Sequence, residues 1–270
     1  MAFKDILLHL DNSAGCPARI DLAVDMARLH GARLKGIYVV THSYYTPGPA
    51  IGETIAVARI EALFKEKSAQ NRISAEWHYI DWPVVGVGVS EIIDIHAYYS
   101  DLVIVSQPDH SAQNNTTPVD LPERLGLGTG RPVLVVPYSG DFTVSGQRVM
   151  IAWRAGRESS RIVNDAMPIL EKARHVSVVT VSTQGDEKAE NDALKLCEYL
   201  ACHGIAAYHD QILSSAGFPV GDVLLNHACE KKMDLLAMGA FAPNRRGVFA
   251  LGPVARHLMN HMTLPVLISH

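Results

Sequence analysis

Two glycines and two adjacent arginines crowd one stretch of the chain, "MGAFAPNRRGVFALGPV", residues 238–254. Glycine lets a backbone take positive φ and come close to a phosphate. Guanidinium groups grip phosphate or carboxylate with two parallel hydrogen bonds. Arg245 and Arg246 lie inside the stretch, and Arg154 and Arg157 follow the apolar run "VMIAW". The chemistry these residue types point to is oxyanion binding. Two plainer readings stand beside it. Gly239 and Gly252 also serve as turn punctuation, and arginines in loops most often face solvent.

Other chemistries find little support. No Walker loop, no GxGxxG after a strand and no GxSxG elbow occurs. "GVGVSE" at Gly86 precedes a helix and lacks a closing glycine. HIGH-type and SGGxDS-type adenylation stretches are also missing. Cys16, Cys197, Cys202 and Cys229 form no CxxC pair, and the 13 histidines lack metal-ligand spacing. A formal charge of −4 argues against a general nucleic-acid binder. No apolar run reaches the roughly 18 residues a membrane span needs. The opening "MAFKDILLHLD" is broken by Lys4, Asp5 and Asp11, so it reads as a first strand rather than a signal peptide. Reduced thiols and a cytoplasmic location are expected.

The elements that must position these residues come in two copies. "SDLVIVSQ" from Ser100 matches "MDLLAMGA" from Met233, and "RPVLVVP" from Arg131 matches "LPVLISH" from Leu264, both at an offset of 133 (233 − 100 and 264 − 131). Ile92, Ile93, His96 and Ala97 fall on Val223, Leu224, His227 and Ala228, and His78 pairs loosely with His209. "DILLHLD" corresponds to "RVMIAWR", which sets Asp11 opposite Arg154. The join lies in "PYSGDFTVSGQ", where apolar periodicity stops, so domains over 1–138 and 147–270 are expected. Apolar runs at 4–10, 33–40, 75–80, 102–106 and 133–137 read as strands. Between them Ile20, Ala23, Val24 and Ala27 keep one helix face, with Pro17 suited to the first turn and Gly31 just past the end. In the second copy Ala189, Ala193, Leu196, Cys197 and Leu200 form a stripe that ends at Gly204. Such alternation gives a doubly wound α/β domain, twice. Ligands in such sheets sit beyond the strand carboxyl ends, at the switch in strand order.

With these residues in view, the chain resembles the universal stress protein family in its tandem two-domain form. The likeness rests on "ILLHLDNS", on "DLLAMGA" leading to "LGPVARHLMNHMTLPVLIS", and on "RPVLVVP". It implies two Rossmann-like, five-stranded parallel sheets packed as a pseudo-dimer through the last strands, Val133–Pro137 and Val266–Ser269. It also implies further association into homo-oligomers. The nucleotide-binding branch of the family carries G-x2-G-x9-G-[ST] between the fourth strand and fourth helix. Here the first and third glycines are Gly239 and Gly252, while Ala242 and Pro253 replace the second glycine and the hydroxyl residue. The acid that ends the family's first strand is Asp11 in copy one and Arg154 in copy two. Copy one has no glycine from Ser106 to Asp120 and so no phosphate loop.

The resemblance implies a stress-response binding or adaptor protein with a degenerate nucleotide loop, more a sensor than an enzyme. An ATP-binding protein with weak hydrolysis and a ligand-free partner-binding protein are the alternatives. The candidate ligand-binding set is Arg154, Arg157, Val181, Met238, Gly239, Ala242, Arg245, Arg246, Gly252, Pro253, Val254 and Asp11. ATP or another phosphorylated anion would bind in copy two, and a compact anion suits the arginines better than a full nucleotide. Copy one, with Asp11 and Asp109 near its strand ends, should bind no phosphate. Thr41 to Thr54, with Tyr44–Tyr45, reads as a surface loop, either a lid or an unstructured insertion. His96 and His227 read as hydrogen-bonded core residues.

Overall fold

A computed structural model describes residues 2–41, 54–82, 86–109, 117–142, 145–182, 186–213, 218–243 and 249–270, with residues 51–53 by backbone alone. The chain divides into two compact units, Ala2–Thr143 and Val144–His270. Each alternates strand and helix as the apolar runs require.

The first unit runs β1 (Asp5–Leu10), α1 (Cys16–His30), β2 (Arg33–Thr41), α2 (Ile51–Gln70), β3 (Ala75–Trp82), α3 (Val89–Ala97), β4 (Leu102–Ser106), α4 (Leu121–Gly128) and β5 (Val133–Val136). Its strands pair in the order β3-β2-β1-β4-β5, all parallel. Parallel strands need helical crossovers, and those helices cover both faces. Hence β4 and β5 are buried at every residue and read as unbroken apolar runs. Gly31 ends α1 in the left-handed region at φ 62°, where glycine carries no Cβ penalty.

The second unit runs β6 (Arg148–Ala152), α5 (Arg157–Leu170), β7 (His175–Ser182), α6 (Glu187–Cys202), β8 (Ala207–Leu213), α7 (Val220–Glu230), β9 (Leu235–Gly239), β10 (Phe241–Pro243), β11 (Phe249–Leu251), α8 (Pro253–His261) and β12 (Val266–Ser269). Its parallel strands repeat the order as β8-β7-β6-β9-β12. The strands β10 and β11 are extra, a small antiparallel ribbon that the first unit shows no counterpart of among its described residues.

Two expectations change here. The segment from Thr41 to Thr54 was expected to hold no regular element, yet β2 runs to Thr41 and α2 starts at Ile51. One glycine near a helix start costs about 1 kcal/mol, too little to exclude the helix. Tyr44 and Tyr45 lie outside the described residues. The matched histidines also differ. His96 is half-buried against the His78 ring, and His227 meets Asp210 at 3.4 Å.

The duplication preserves one device at the opposite end of the sheets. Asp234 accepts the backbone N–H groups of Gly146, Gln147 and Arg148 at 2.8, 3.1 and 3.0 Å. Its partner by self-comparison, Asp101, accepts those of Lys4 and Asp5 at 2.7 and 3.1 Å. Each carboxylate ties the start of one strand to the start of its neighbour. Removing it strands donors that cost about 1 kcal/mol each. Asp234→Ala should therefore lower stability by about 3 kcal/mol, and Asp101→Ala by about 2 kcal/mol, in denaturant unfolding.

Candidate functional site

The strand order switches between β6 and β9, so the connections after these two strands leave the sheet side by side at the strand carboxyl ends. Gly239 ends β9 against the first turn of α5. A Cβ on Gly239 would stand 2.7 Å from the Glu158 carbonyl carbon and 2.8 Å from the Ser159 nitrogen, both backbone atoms. Only glycine lets the helix come that near. Gly239 therefore serves helix–strand packing, and its φ is not positive.

The stretch after it is a ribbon rather than an open cradle. Phe241, Ala242 and Pro243 pair with Leu251, Ala250 and Phe249. Ala242 is an exposed strand residue, where alanine carries no conformational penalty. Gly252 is extended, at φ −63° and ψ 161°, and its N–H is bound to the Ala240 carbonyl at 2.9 Å. Pro253 has no N–H to offer. The two backbone positions that open α8 are thus closed to an anion. Its helix is held to α7 by a 2.6 Å hydrogen bond between His257 and Asp222.

Aromatic packing pins the ribbon. The His270 ring meets Phe249 and Phe241 edge-on, at 4.7 and 5.4 Å between centroids. Arg157 also lies over Phe249, its guanidinium carbon 5.6 Å from the ring centroid. Arg157 and Arg154 are both exposed, and neither has a carboxylate partner among the described residues. The structure thus brings Arg157, Gly239, the ribbon and the start of α8 together, with Arg154 on the β6–α5 connection. Met238 is buried in the core, only 6% exposed. Val181 stands half-buried on β7, one strand beyond β6, paired with Ile212. Val254 is half-buried in the first turn of α8. Arg245 and Arg246 lie outside the described residues. Sequence reasoning passed over Phe249 and His270. Their signal was the aromatic pair Phe241 and Phe249 within the quoted stretch, which only a ribbon brings to one ring.

Asp11 meets a different fate. It is buried, and Arg19 from α1 reaches it at 2.9 Å. Ser13 donates its backbone N–H at 3.0 Å and its hydroxyl to one oxygen, and Thr117 donates to the other at 2.8 Å. Burial would raise this carboxyl, but Arg19, His9 and Ser13 outweigh it and hold it well below the usual carboxylate range. Burial pushes His9 down to about 4, so it stays neutral, and lifts the Cys16 thiol to about 11, which leaves it unreactive. Arg19 also donates to the His9 carbonyl at 3.0 Å. The acid of the first unit is satisfied from within.

Among the described residues no group of three or more His, Cys, Asp or Glu side chains converges as metal ligands, and no helix is long and apolar enough to cross a membrane.

No protein-family model and no curated protein matches the chain by sequence. Solved structures do match along its whole length. A universal stress protein from Archaeoglobus fulgidus DSM 4304 superposes with a TM-score of 0.70 at 15% identity, covering 98% of this chain and 97% of that one. A protein from Pseudomonas aeruginosa UCBPP-PA14 assigned to the universal stress proteins gives 0.64 at 16% identity, covering 99% and 93%. The cytoplasmic domain of a prokaryotic cation chloride cotransporter gives 0.54 at 12% identity, covering 98% and 94%. The chain therefore has the fold of the universal stress proteins.

Two outcomes follow from the Asp11 network. Arg19→Met leaves a buried carboxylate unpaired and should cost roughly 3–5 kcal/mol, with Asp11→Asn/Arg19→Met recovering part of it, in denaturant unfolding. The pH dependence has a definite sign. His9 has a folded pKa below its unfolded value, so the unfolded state takes up the proton first as pH falls. Stability is then lost from about pH 6.5 down to about 4, by up to about 3 kcal/mol, and Asp11 continues the loss below about 4. His9→Gln should flatten the upper part of that profile and leave the lower part.

Proposed function

We propose that the chain is a tandem universal stress protein that acts as a non-enzymatic binding protein, with a site for a compact phosphorylated anion in its second unit. The observation that carries this is the inequality of the two strand ends. Asp11 is neutralised by Arg19 inside the first unit, whereas Arg154 and Arg157 in the second stand exposed with no acidic partner among the described residues. Guanidinium groups in a crevice at the strand carboxyl ends suit an oxyanion. The ribbon, the occupied Gly252 N–H and Pro253 disfavour the extended triphosphate of ATP. A cytoplasmic location fits the four free cysteines.

A ligand-free partner-binding role is the second reading. The closed start of α8 favours it, since the glycine cradle expected there is replaced by paired backbone.

Calorimetry with inorganic phosphate, AMP and ATP separates the two. Phosphate and AMP should bind the second unit, with ATP no tighter than AMP, and Arg154→Ala/Arg157→Ala should weaken binding at least tenfold. ATP binding at micromolar concentration that survives both substitutions would sink the arginine account. No heat with any of the three anions would leave the partner-binding role.

A further inference from the structure

A third donor stands at the same strand end. Trp153 directly follows β6 and directly precedes Arg154, and its backbone N–H continues the β6–β7 pairing by a 2.8 Å bond to the Val179 carbonyl. By the strand period it shares a face with Val149 and Ile151. The ring is part-exposed, but the indole Nε1 is buried and has no hydrogen-bond partner. A buried indole N–H usually finds an acceptor, and leaving one unmade costs more than an average hydrogen bond returns.

The first unit shows that the fold does not require this cost. With Asp11 opposite Arg154, the residue opposite Trp153 is Leu10. Leu10 is buried, its Cδ1 close against Gly36, and carries no polar atom. An apolar side chain fills the position completely there. The second unit instead places a lone donor one residue before Arg154, which has no carboxylate partner among the described residues.

We infer that Trp153 is a further ligand-binding residue of the second unit, whose indole N–H donates to an oxygen of the anion held by Arg154 and Arg157. This rests on the anion site proposed above and adds its neutral donor. Tetrahedral and planar oxyanions both offer lone pairs in excess of what two arginines use, so a neutral donor adds contact without adding charge. The ligand class is an oxyanion small enough to reach past the ribbon, with inorganic phosphate and a nucleoside monophosphate as its simplest members.

Trp82 supplies the control. Its indole N–H is also buried without a partner, but it ends the edge strand β3 of the first unit, which holds neither Arg154 nor Arg157. The experiment titrates inorganic phosphate and AMP into the full chain, followed by calorimetry and by tryptophan fluorescence. Wild type, Trp153→Phe and Trp82→Phe are compared, with circular dichroism and thermal unfolding to verify that each is folded. Trp153→Phe keeps the ring and removes only the N–H. Binding should weaken about five- to twentyfold in Trp153→Phe and change less than twofold in Trp82→Phe, and the fluorescence response of the wild type should vanish with Trp153. Equal affinity in wild type and Trp153→Phe, with Arg154→Ala still weakening it, would overturn the role of Trp153 and leave the anion site standing. No binding of either anion to the wild type would overturn both. Should Trp153→Phe fold poorly, Trp153→His, which retains a ring N–H, must keep binding within about threefold, and loss of binding in that folded variant counts against the inference.

Discussion

The approach of α5 to the end of β9 sets the geometry of the second unit. Gly239 has backbone atoms of Glu158 and Ser159 within 3 Å of where a Cβ would sit, so a side chain of any size would push the helix away. That contact fixes where α5 begins. It thereby places Arg157, the first residue of α5, over Phe249 of the ribbon. His270, directly after β12, closes the arrangement by wedging its ring between Phe241 and Phe249. Loosening one steric contact would therefore move four elements together.

The two units solve one problem of charge in opposite ways. When Asp11 is set opposite Arg154, Arg19 falls opposite Ile162. The first unit thus buries an ion pair where the second buries an isoleucine and turns its own charge outward. Burying both ions carries a desolvation cost that the 2.9 Å contact and the Ser13 and Thr117 donors offset. The second unit avoids that cost because Arg154 stays in water. Among the described residues that exposed charge has no carboxylate partner at the strand end.

Much of the architecture was legible in the chain itself. Strand positions followed from apolar runs of fully buried β4 and β5, and Gly31 marked the end of α1 through its positive φ. Self-comparison also matched Asp101 with Asp234, which hold the starts of β1 and β6 by two matching backbone bonds, with a third at Asp234. The ribbon was not legible. Strands of three residues, Phe241–Pro243 and Phe249–Leu251, are too short for a period to register, and Pro243 argues against one.

By itself the sequence determined the repeat, the alternation of strand and helix, and the residue types gathered at the strand ends. These are local properties, because periodicity and turn chemistry are written in neighbouring residues. What each site residue does was decided by tertiary structure. Gly239 looked like a phosphate-loop glycine until the backbone of α5 occupied the space beside it. Asp11 looked like a ligand contact until Arg19 and Thr117 took its oxygens. Steric exclusion and charge neutralisation act between segments far apart in the chain, and only folding brings those segments within reach of one another.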